Sequence, residues 1–440
     1  MITIEDLYKL YLSHPIVSTD TRKLPEGCLF FALRGANFDG NKYAGAALEA
    51  GAAYAIIDEA DQLIDERTIL VPDALQALQL LAAHHRRALG IPVIAITGTN
   101  GKTTTKELTA AVLSQSYRLL YTEGNLNNHI GVPLTLLRLT SEHQLALIEM
   151  GASKPGDIAE LCAIAQPNYG LITNIGQAHL EGFGSLEGVR RTKGELYDSV
   201  RAREGILFYH EEDEVLRQMS LGTERISYGS SPKAYVQGVA SPSTGESLFL
   251  HFSWSCPILE MSAREVQTQL VGDYNLANAL AAIAIGLYFD VPSDKIDEAL
   301  TSYCPSNSRS QLIHSERSNQ IIADAYNANP SSMRTALSNF LAIEPALRPR
   351  IVILGDMNEL GASSHEAHQE LYQKLSSTTT PPLEIYLCGP HWQEELGDQP
   401  QVYSNVEELI AHIEAHPITK SLILVKGSNS IHLGKLLPYL

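Results

Sequence analysis

The run Gly98-Thr99-Asn100-Gly101-Lys102-Thr103-Thr104 combines glycines, a lysine and hydroxyls at a point where an apolar stretch gives way to a helix-forming one. Glycines let the backbone curl so that its N–H groups face a phosphate, and the start of a helix adds a partial positive charge. Lys102 is placed to reach the β- and γ-phosphates of a nucleotide, and the Thr103 hydroxyl to ligate Mg²⁺. The spacing departs from the general G-x-x-x-x-G-K-[ST] pattern, because Ile96 stands at the usual first glycine. A glycine-rich turn that binds nothing is the plain alternative, and Gly-Lys-Thr in this setting speaks against it. Glu149 closes the apolar run Leu145 to Met150. Ligands of open α/β sheets bind at such strand ends, and a carboxylate there suits Mg²⁺ beside phosphates; a solvated strand-end glutamate is the alternative. His179, in the polar loop Thr173 to Ser185, and Lys193, followed by Gly194-Glu195, read on their own as a loop histidine and a surface lysine.

These residues need a sheet to position them. Leu29–Leu33 and Ala53–Ile57 are expected as strands, with helices over Ala44–Ala50 and Leu75–Leu89 that stop at Gly90-Ile91-Pro92. Val93–Ile96 is a buried strand running into the glycine-rich turn, and the next helix reaches about Leu113. Leu145–Met150, Gly170–Thr173 and Gly205–Tyr209 continue the strands, with a helix over Leu186–Val200. Strands alternating with helices mean a mostly parallel sheet covered on both faces. The polar alternation of residues 225–270 predicts an antiparallel edge or insert, followed by a strongly apolar helix over Leu276–Tyr288. Strands restart at Ile321–Ala325, Ile351–Gly355, Ile385–Cys388 and Leu422–Val425, a Rossmann-like pattern. Ser376 to Pro382 is a surface loop. The fold class is α/β in three domains: a small α/β domain over 1–83, a central P-loop parallel-sheet domain over 84–304 and a C-terminal Rossmann-like domain over 305–440.

The net charge of −18 argues against non-specific nucleic-acid or anionic-membrane binding, which need a basic face. It leaves room for an anionic substrate held by local lysines, arginines and backbone N–H groups. The first residues carry Glu5, Asp6 and Lys9 and lack the pattern of a signal peptide. The longest apolar stretch, about Leu276 to Phe289, is too short to span a bilayer. Cys28, Cys162, Cys256, Cys304 and Cys388 are scattered without CxxC spacing, so neither a disulfide framework nor a zinc site is expected. The expectation is a cytoplasmic monomer with reduced thiols and no membrane insertion.

Taken together, the loop Gly98 to Thr104, Glu149, the His179 loop and Lys193-Gly194-Glu195 resemble the Mur ligases and their folate-adding relatives. Asn125-Leu126-Asn127-Asn128-His129-Ile130-Gly131-Val132-Pro133 matches a further family loop. Gly272-Asp273-Tyr274-Asn275-Leu276-Ala277-Asn278 resembles the G-x-H-N-x-x-N element used at the adenine, with Tyr274 where histidine is usual. The resemblance implies that Thr103, Glu149, His179 and a carbamylated Lys193 hold two Mg²⁺ ions, that Asn275 and Asn278 flank the adenine, and that Arg309 and Asp324 reach the nucleotide when domains close. Asp324-Ala325-Tyr326-Asn327-Ala328-Asn329-Pro330, Leu354 to Gly361 and Val425-Lys426-Gly427-Ser428 resemble the markers of the member that takes D-alanyl-D-alanine. Ala323 and Asn429 depart from that pattern. Asn128, Tyr326, Asn327, Asn329 and Lys426 are the substrate contacts so implied. Ser18-Thr19-Asp20-Thr21-Arg22, Phe30 to Gly35 and Phe38-Asp39-Gly40-Asn41 resemble a UDP-sugar module, which implies contacts from Ser18, Thr19, Arg22, Arg34, Asp39 and Asn41.

The implied activity is ATP-dependent amide formation between UDP-N-acetylmuramoyl-tripeptide and D-alanyl-D-alanine through an acyl phosphate, with Lys102, His179 and Lys193 catalytic. A folylpolyglutamate synthase-like ligase would lack the Ser18 to Asn41 elements, and a non-catalytic nucleotide-binding regulator would have no use for intact Lys102, Glu149, His179 and Lys193. Lys102→Ala is expected to reduce turnover by roughly 100-fold or more, the scale of losing one pre-placed charge or donor, while circular dichroism stays that of the parent. A folded variant turning over at the parental rate would exclude the phosphate-loop reading.

Overall fold

A computed structural model describes residues 2–35, 38–241, 248–306, 309–343, 348–377 and 383–440. Residues 378–382 of the expected surface loop lie outside these described residues. The first sheet is four-stranded and parallel, ordered Val17–Ser18, Leu29–Phe31, Tyr54–Ile57 and Thr68–Leu70. Leu29, Phe30 and Phe31 are all fully buried, as a parallel strand covered on both faces requires.

The central sheet has nine strands. Its order runs Met261–Val271, Phe249–Cys256, Val236–Ala240, Glu224–Gly229, Ile206–His210, Tyr169–Ile172, Val93–Thr97, Leu145–Glu149 and Leu119–Tyr121. Val93–Thr97 and Leu145–Glu149, the seventh and eighth strands of that order, are buried at every position and have a neighbour on each side. The expected antiparallel insert over 225–270 is smaller than the alternation implied. Glu224–Gly229 and Val236–Ala240 extend the parallel sheet, and only Phe249–Cys256 and Met261–Val271 run antiparallel. The helix Leu276–Tyr288 packs on this sheet and on the helix Lys102–Leu113, and its residues 278–287 are buried throughout.

The third sheet has six strands, ordered Gln311–His314, Gln320–Asp324, Leu422–Lys426, Arg350–Gly355, Leu383–Cys388 and Val402–Tyr403, with only the first antiparallel. The helices Pro330–Ala342, Ser364–Ser376, Pro390–Leu396 and Val406–Ala415 cover it. Among the described residues, no helix is long and apolar enough to cross a membrane.

The helix Ala74–Leu89 joins the first two sheets and runs without a break through residue 83, where a boundary was expected. Asp73 caps its start through Gln76 N, and Gly90, at φ 66°, ends it in the left-handed conformation that glycine adopts without strain. Leu78 and Leu81 belong to a single apolar core that also holds Leu29, Ile148 and Ile158. Arg86 ties the helix down. Its guanidinium donates to Ala165 O (2.9 Å), Gln166 O (3.0 Å) and Asn168 Oδ1 (2.8 Å). Arg86→Ala leaves those acceptors without this donor and is expected to cost about 3 kcal/mol, seen as a lower thermal midpoint. An unchanged midpoint would show that the apolar contacts alone hold this junction.

Candidate active site

A cavity of about 1200 Å³ opens where the central and C-terminal sheets face each other. The phosphate loop forms its floor. It leaves the buried strand Val93–Thr97 and enters the helix Lys102–Leu113, with Gly98 at φ 145° and Gly101 at φ 78°. Neither glycine has room for a side chain. A Cβ on Gly98 would lie 2.0 Å from Thr173 Oγ1, and one on Gly101 would lie 2.6 Å from Asn278 Oδ1. The loop is pinned to the neighbouring strand end. Asn100 N donates to Asn174 Oδ1 (3.0 Å), and Thr173 Oγ1 donates to Asn100 O (2.6 Å).

Lys102 bends back over this loop and donates to Gly98 O (2.7 Å) and Thr99 O (3.0 Å). Burial pushes its pKa down to about 8, opposed by Glu149 and assisted by Arg309. Glu149 ends the strand Leu145–Glu149 and is 1% exposed. Its Oε1 accepts from Thr103 Oγ1 (3.1 Å) and from Asn127 Nδ2 (2.8 Å). Its Oε2 is buried with no hydrogen-bond partner, and the Lys106 ammonium stands 4.0 Å away. A buried, partnerless carboxylate oxygen next to a hydroxyl is a donor set that suits Mg²⁺, which keeps waters and substrate phosphates as its other ligands. Among the described residues, no group of three or more His, Cys, Asp or Glu side chains is placed to hold a metal ion.

Lys193, on the helix Leu186–Arg201, is 2% exposed. Burial first and then the charge of Lys102 lower its pKa to about 7, against the opposing pull of Asp157 and Glu195. The plain alternative to a carbamate, an ion pair with Glu195, does not form among the described residues. Instead Glu195 accepts from Gly156 N (3.0 Å) and Ala159 N (2.8 Å), and the Lys193 ammonium lies over the Phe183 ring, 5.6 Å from its centre. His179 lines the cavity and meets the Glu359 carboxylate through Nδ1, a contact that holds the Glu359 carboxyl below its usual range.

Asn275 and Asn278 sit beneath the phosphate loop, hydrogen-bonded to each other (2.9 Å). Asn275 also donates to Val271 O, and Asn278 accepts from Thr105 Oγ1. Tyr274, in the place of a histidine, shares a hydrogen bond with Ser310 Oγ (2.7 Å). Arg309 stacks over the Tyr326 ring at 3.7 Å, and its buried Nε has no hydrogen-bond partner. Asp324 and Lys426 are register partners at the ends of adjacent parallel strands, so their side chains meet at 2.6 Å. Lys426 also donates to Asn327 O (3.1 Å). Asn329 caps the helix Pro330–Ala342 and donates to Asn100 Oδ1 (2.8 Å), while Asn100 donates to Ser331 Oγ (2.8 Å), so the C-terminal domain touches the phosphate loop directly.

Asn128 faces the cavity but its Oδ1 already accepts from Ile130 N and Gly131 N. Six expected contacts lie elsewhere, on the N-terminal sheet. Ser18 ends one strand, and Arg34 and Asp58 follow two others, so they gather at the C-terminal strand ends. Arg34 pairs with Asp58 (2.8 Å) and Glu59 (3.0 Å), and Arg22 with Asp20 (2.8 Å). Asp39 caps the turn at Asn41 N, and the fully buried Asn41 side chain bonds Asp39 and Asp58. Thr19 is partly exposed beside them. Asn127, Asn174, Lys106, Ser331 and Glu359 were not singled out from sequence. All but Lys106 and Ser331 stand inside motifs that were noticed, but without coordinates nothing distinguished them from their neighbours.

Three family models match in chain order: "Mur ligase family, catalytic domain" over residues 15–86, "Mur ligase middle domain" over 96–286 and "Mur ligase, glutamate ligase domain" over 308–429. The UDP-N-acetylmuramoyl-tripeptide–D-alanyl-D-alanine ligase of Bacillus subtilis is 33% identical, over 96% of this chain and 92% of its own length. The protein of that name from Escherichia coli is 38% identical, over 94% of this chain and 91% of its own. Among solved structures, MurF ligase from Thermotoga maritima in complex with ADP superposes with a TM-score of 0.84 at 25% identity, covering 97% of each chain. With three family models matched in chain order and relatives at 33% and 38% identity along nearly the whole length, the chain belongs to the Mur ligase family.

Proposed function

We propose that the chain is the cytoplasmic ligase that joins D-alanyl-D-alanine to UDP-N-acetylmuramoyl-tripeptide with ATP, in the assembly of the bacterial cell-wall precursor. The observation that carries this is the strand-end pair Asp324 and Lys426, with Tyr326, Asn327 and Asn329 beside it, facing the phosphate loop across one cavity. A free carboxylate is a poor electrophile. Its oxygen attacks the γ-phosphorus of ATP, the bond to the β-phosphate oxygen breaks and ADP leaves. The dipeptide amine then adds to the acyl carbon, and the tetrahedral intermediate expels phosphate.

The chain's work in this reading is positioning and charge neutralisation. Lys102, released from Gly98 O and Thr99 O, follows the charge on the transferred phosphoryl group. Arg309, whose Nε has no partner, approaches the nucleotide phosphates from the C-terminal side. Asn275 and Asn278 shape the adenine wall, and Lys426, held by Asp324, faces the acyl group. The residues that would hold Mg²⁺ are Thr103, Glu149, His179 and Lys193, and the ion's contribution is to neutralise phosphate charge. Ser18, Thr19, Arg22, Arg34, Asp39 and Asn41 take the UDP end, the arginines from their exposed ion pairs. The chain's match to the N-terminal family domain favours this over a folylpolyglutamate synthase-like enzyme, which lacks that element.

Lys193 enters as a carbamate. Its neutral amine adds to CO₂, a C–N bond forms, one proton leaves, and the product is an anion with oxygen ligands. Burial to 2% exposure, an amine pKa of about 7 and no carboxylate partner support this. Lys193→Ala is expected to lose most activity, roughly 100-fold, with acetate or formate restoring part of it. Rescue by amines but not by carboxylates would mean that Lys193 works as a cation.

The acceptor test is separate. ADP release is expected with D-alanyl-D-alanine and to be absent with free diaminopimelate, lysine or glutamate. Equal rates with any of those single amino acids would reject this assignment.

A further inference from the structure

His179 is held from outside its own domain. It follows the central strand Tyr169–Ile172, while the Glu359 that meets its Nδ1 follows the C-terminal strand Arg350–Gly355. Among the described residues, His179 is the only partner of the Glu359 carboxylate. Both residues adopt the left-handed conformation, at φ 51° and φ 65°, which is uncommon outside glycine and marks a backbone constrained by its surroundings.

The loop bearing Glu359 is anchored firmly to the C-terminal domain. Met357 N donates to Nε2 of the fully buried His368 (3.1 Å), and His368 Nδ1 is fixed on Ser364 O (2.7 Å). Asn358 N donates to Ser428 Oγ (2.9 Å), and Asn358 Nδ2 bonds Ser430 Oγ (2.6 Å). Two further contacts reach the same stretch of the central domain. Gly361 rests against Glu181, and Arg334 Nη2 approaches Gln177 Oε1 at 3.4 Å. The C-terminal domain therefore carries a rigid arm whose tip is one carboxylate.

We infer that Glu359 is a positioning residue for His179: by accepting its Nδ1–H it leaves Nε2 as the free ring nitrogen for Mg²⁺, so that closure of the C-terminal domain completes the metal site. Metal-bound histidines commonly give their other N–H to a carboxylate, which sets the tautomer and ring orientation. Here that carboxylate arrives from another domain, so metal affinity and closure share one free energy. Each must strengthen the other by the same factor. The inference rests on the reading of His179 as a metal ligand.

The test uses the full chain with saturating ADP, Mn²⁺ as the probe and electron paramagnetic resonance to count free Mn²⁺. Glu359→Ala is expected to weaken Mn²⁺ binding by roughly 10–100-fold, the range for such supporting groups. Glu359→Gln, which keeps an acceptor for Nδ1–H, is expected to recover part of that loss. Small-angle scattering should show that Mn²⁺ with ADP compacts the parent more than Glu359→Ala. A carboxylate that merely packed the loop would alter the thermal midpoint and leave Mn²⁺ affinity alone. If His179→Ala loses Mn²⁺ while Glu359→Ala binds it like the parent, the inference is wrong and the ligand reading stands. If His179→Ala also binds Mn²⁺ normally, the ligand reading itself falls.

Discussion

Positive charge held out of water without a matching anion is the constraint around which this molecule is arranged. Lys102 and Arg309 line one cavity, Lys193 is buried within reach of the charge of Lys102, and among the described residues Glu149 is the carboxylate that counters Lys102. Burial depresses both lysines by more than two units from the ordinary lysine value of about 10.4, to about 8 and about 7. The lysines are carried by the helices Lys102–Leu113 and Leu186–Arg201, and neither forms a close ion pair among the described residues. Lys102 folds onto carbonyls of its own loop, and Lys193 faces an aromatic ring. The lining of that cavity carries both signs, with Lys102, Lys154, Arg309 and Lys426 set among Glu149, Asp157, Glu160, Asp324 and Glu359. Phosphate oxygens are the ligands that Lys102 and Arg309, on that lining, favour.

That cavity has walls on two domains, which explains why so many of its contacts cross between them. Asn100 of the phosphate loop is bonded by Asn329 and Ser331, His179 by Glu359, and Tyr274 by Ser310 on the connection between the domains. Each is a polar bond at the rim, replaceable by water when the domains part. One apolar core binds the first two domains together at the helix Ala74–Leu89, and the core of the third takes in Val271 from the end of the central strand Met261–Val271. The first two domains thus form a common support, and the third joins it through the apolar contact at Val271 and through polar contacts around the cavity.

The central chemistry was legible in sequence because it depends on backbone. Gly98 and Gly101 are needed where a strand turns into a helix, and no other residue fits against Thr173 and Asn278. The apolar runs of buried parallel strands were equally plain, as was the helix Leu276–Tyr288, found at its expected limits. Two features were hidden. Glu224–Gly229 joins the parallel sheet because of its neighbours, which no local alternation records. Glu359 and Lys106 act through contacts with residues 180 and 43 positions away, His179 and Glu149, and spacing along the chain carries no trace of such pairs. The continuity of the helix through residue 83 was masked for a similar reason: one helix serves two cores, so its apolar surface shows no change of pattern where the domains meet.

The same buried lysines connect stability to the ligand. As free amines they bind a proton less readily in the folded chain than in the unfolded one. Between about pH 7 and the ordinary lysine value of about 10.4 the unfolded chain therefore holds more protons, and stability rises with pH across that window. Below about pH 7 the full electrostatic penalty of Lys193 is present. At neutral pH the empty site thus weakens the protein that carries it. Phosphate bound beside Lys102, or a carbamate on Lys193, removes that penalty by supplying the missing negative charge. Any ligand that binds the folded form alone must also stabilise it by mass action. An active site that is electrostatically strained when empty and relieved when filled needs no separate device to favour its substrates, because the relief of buried charge is itself the binding energy.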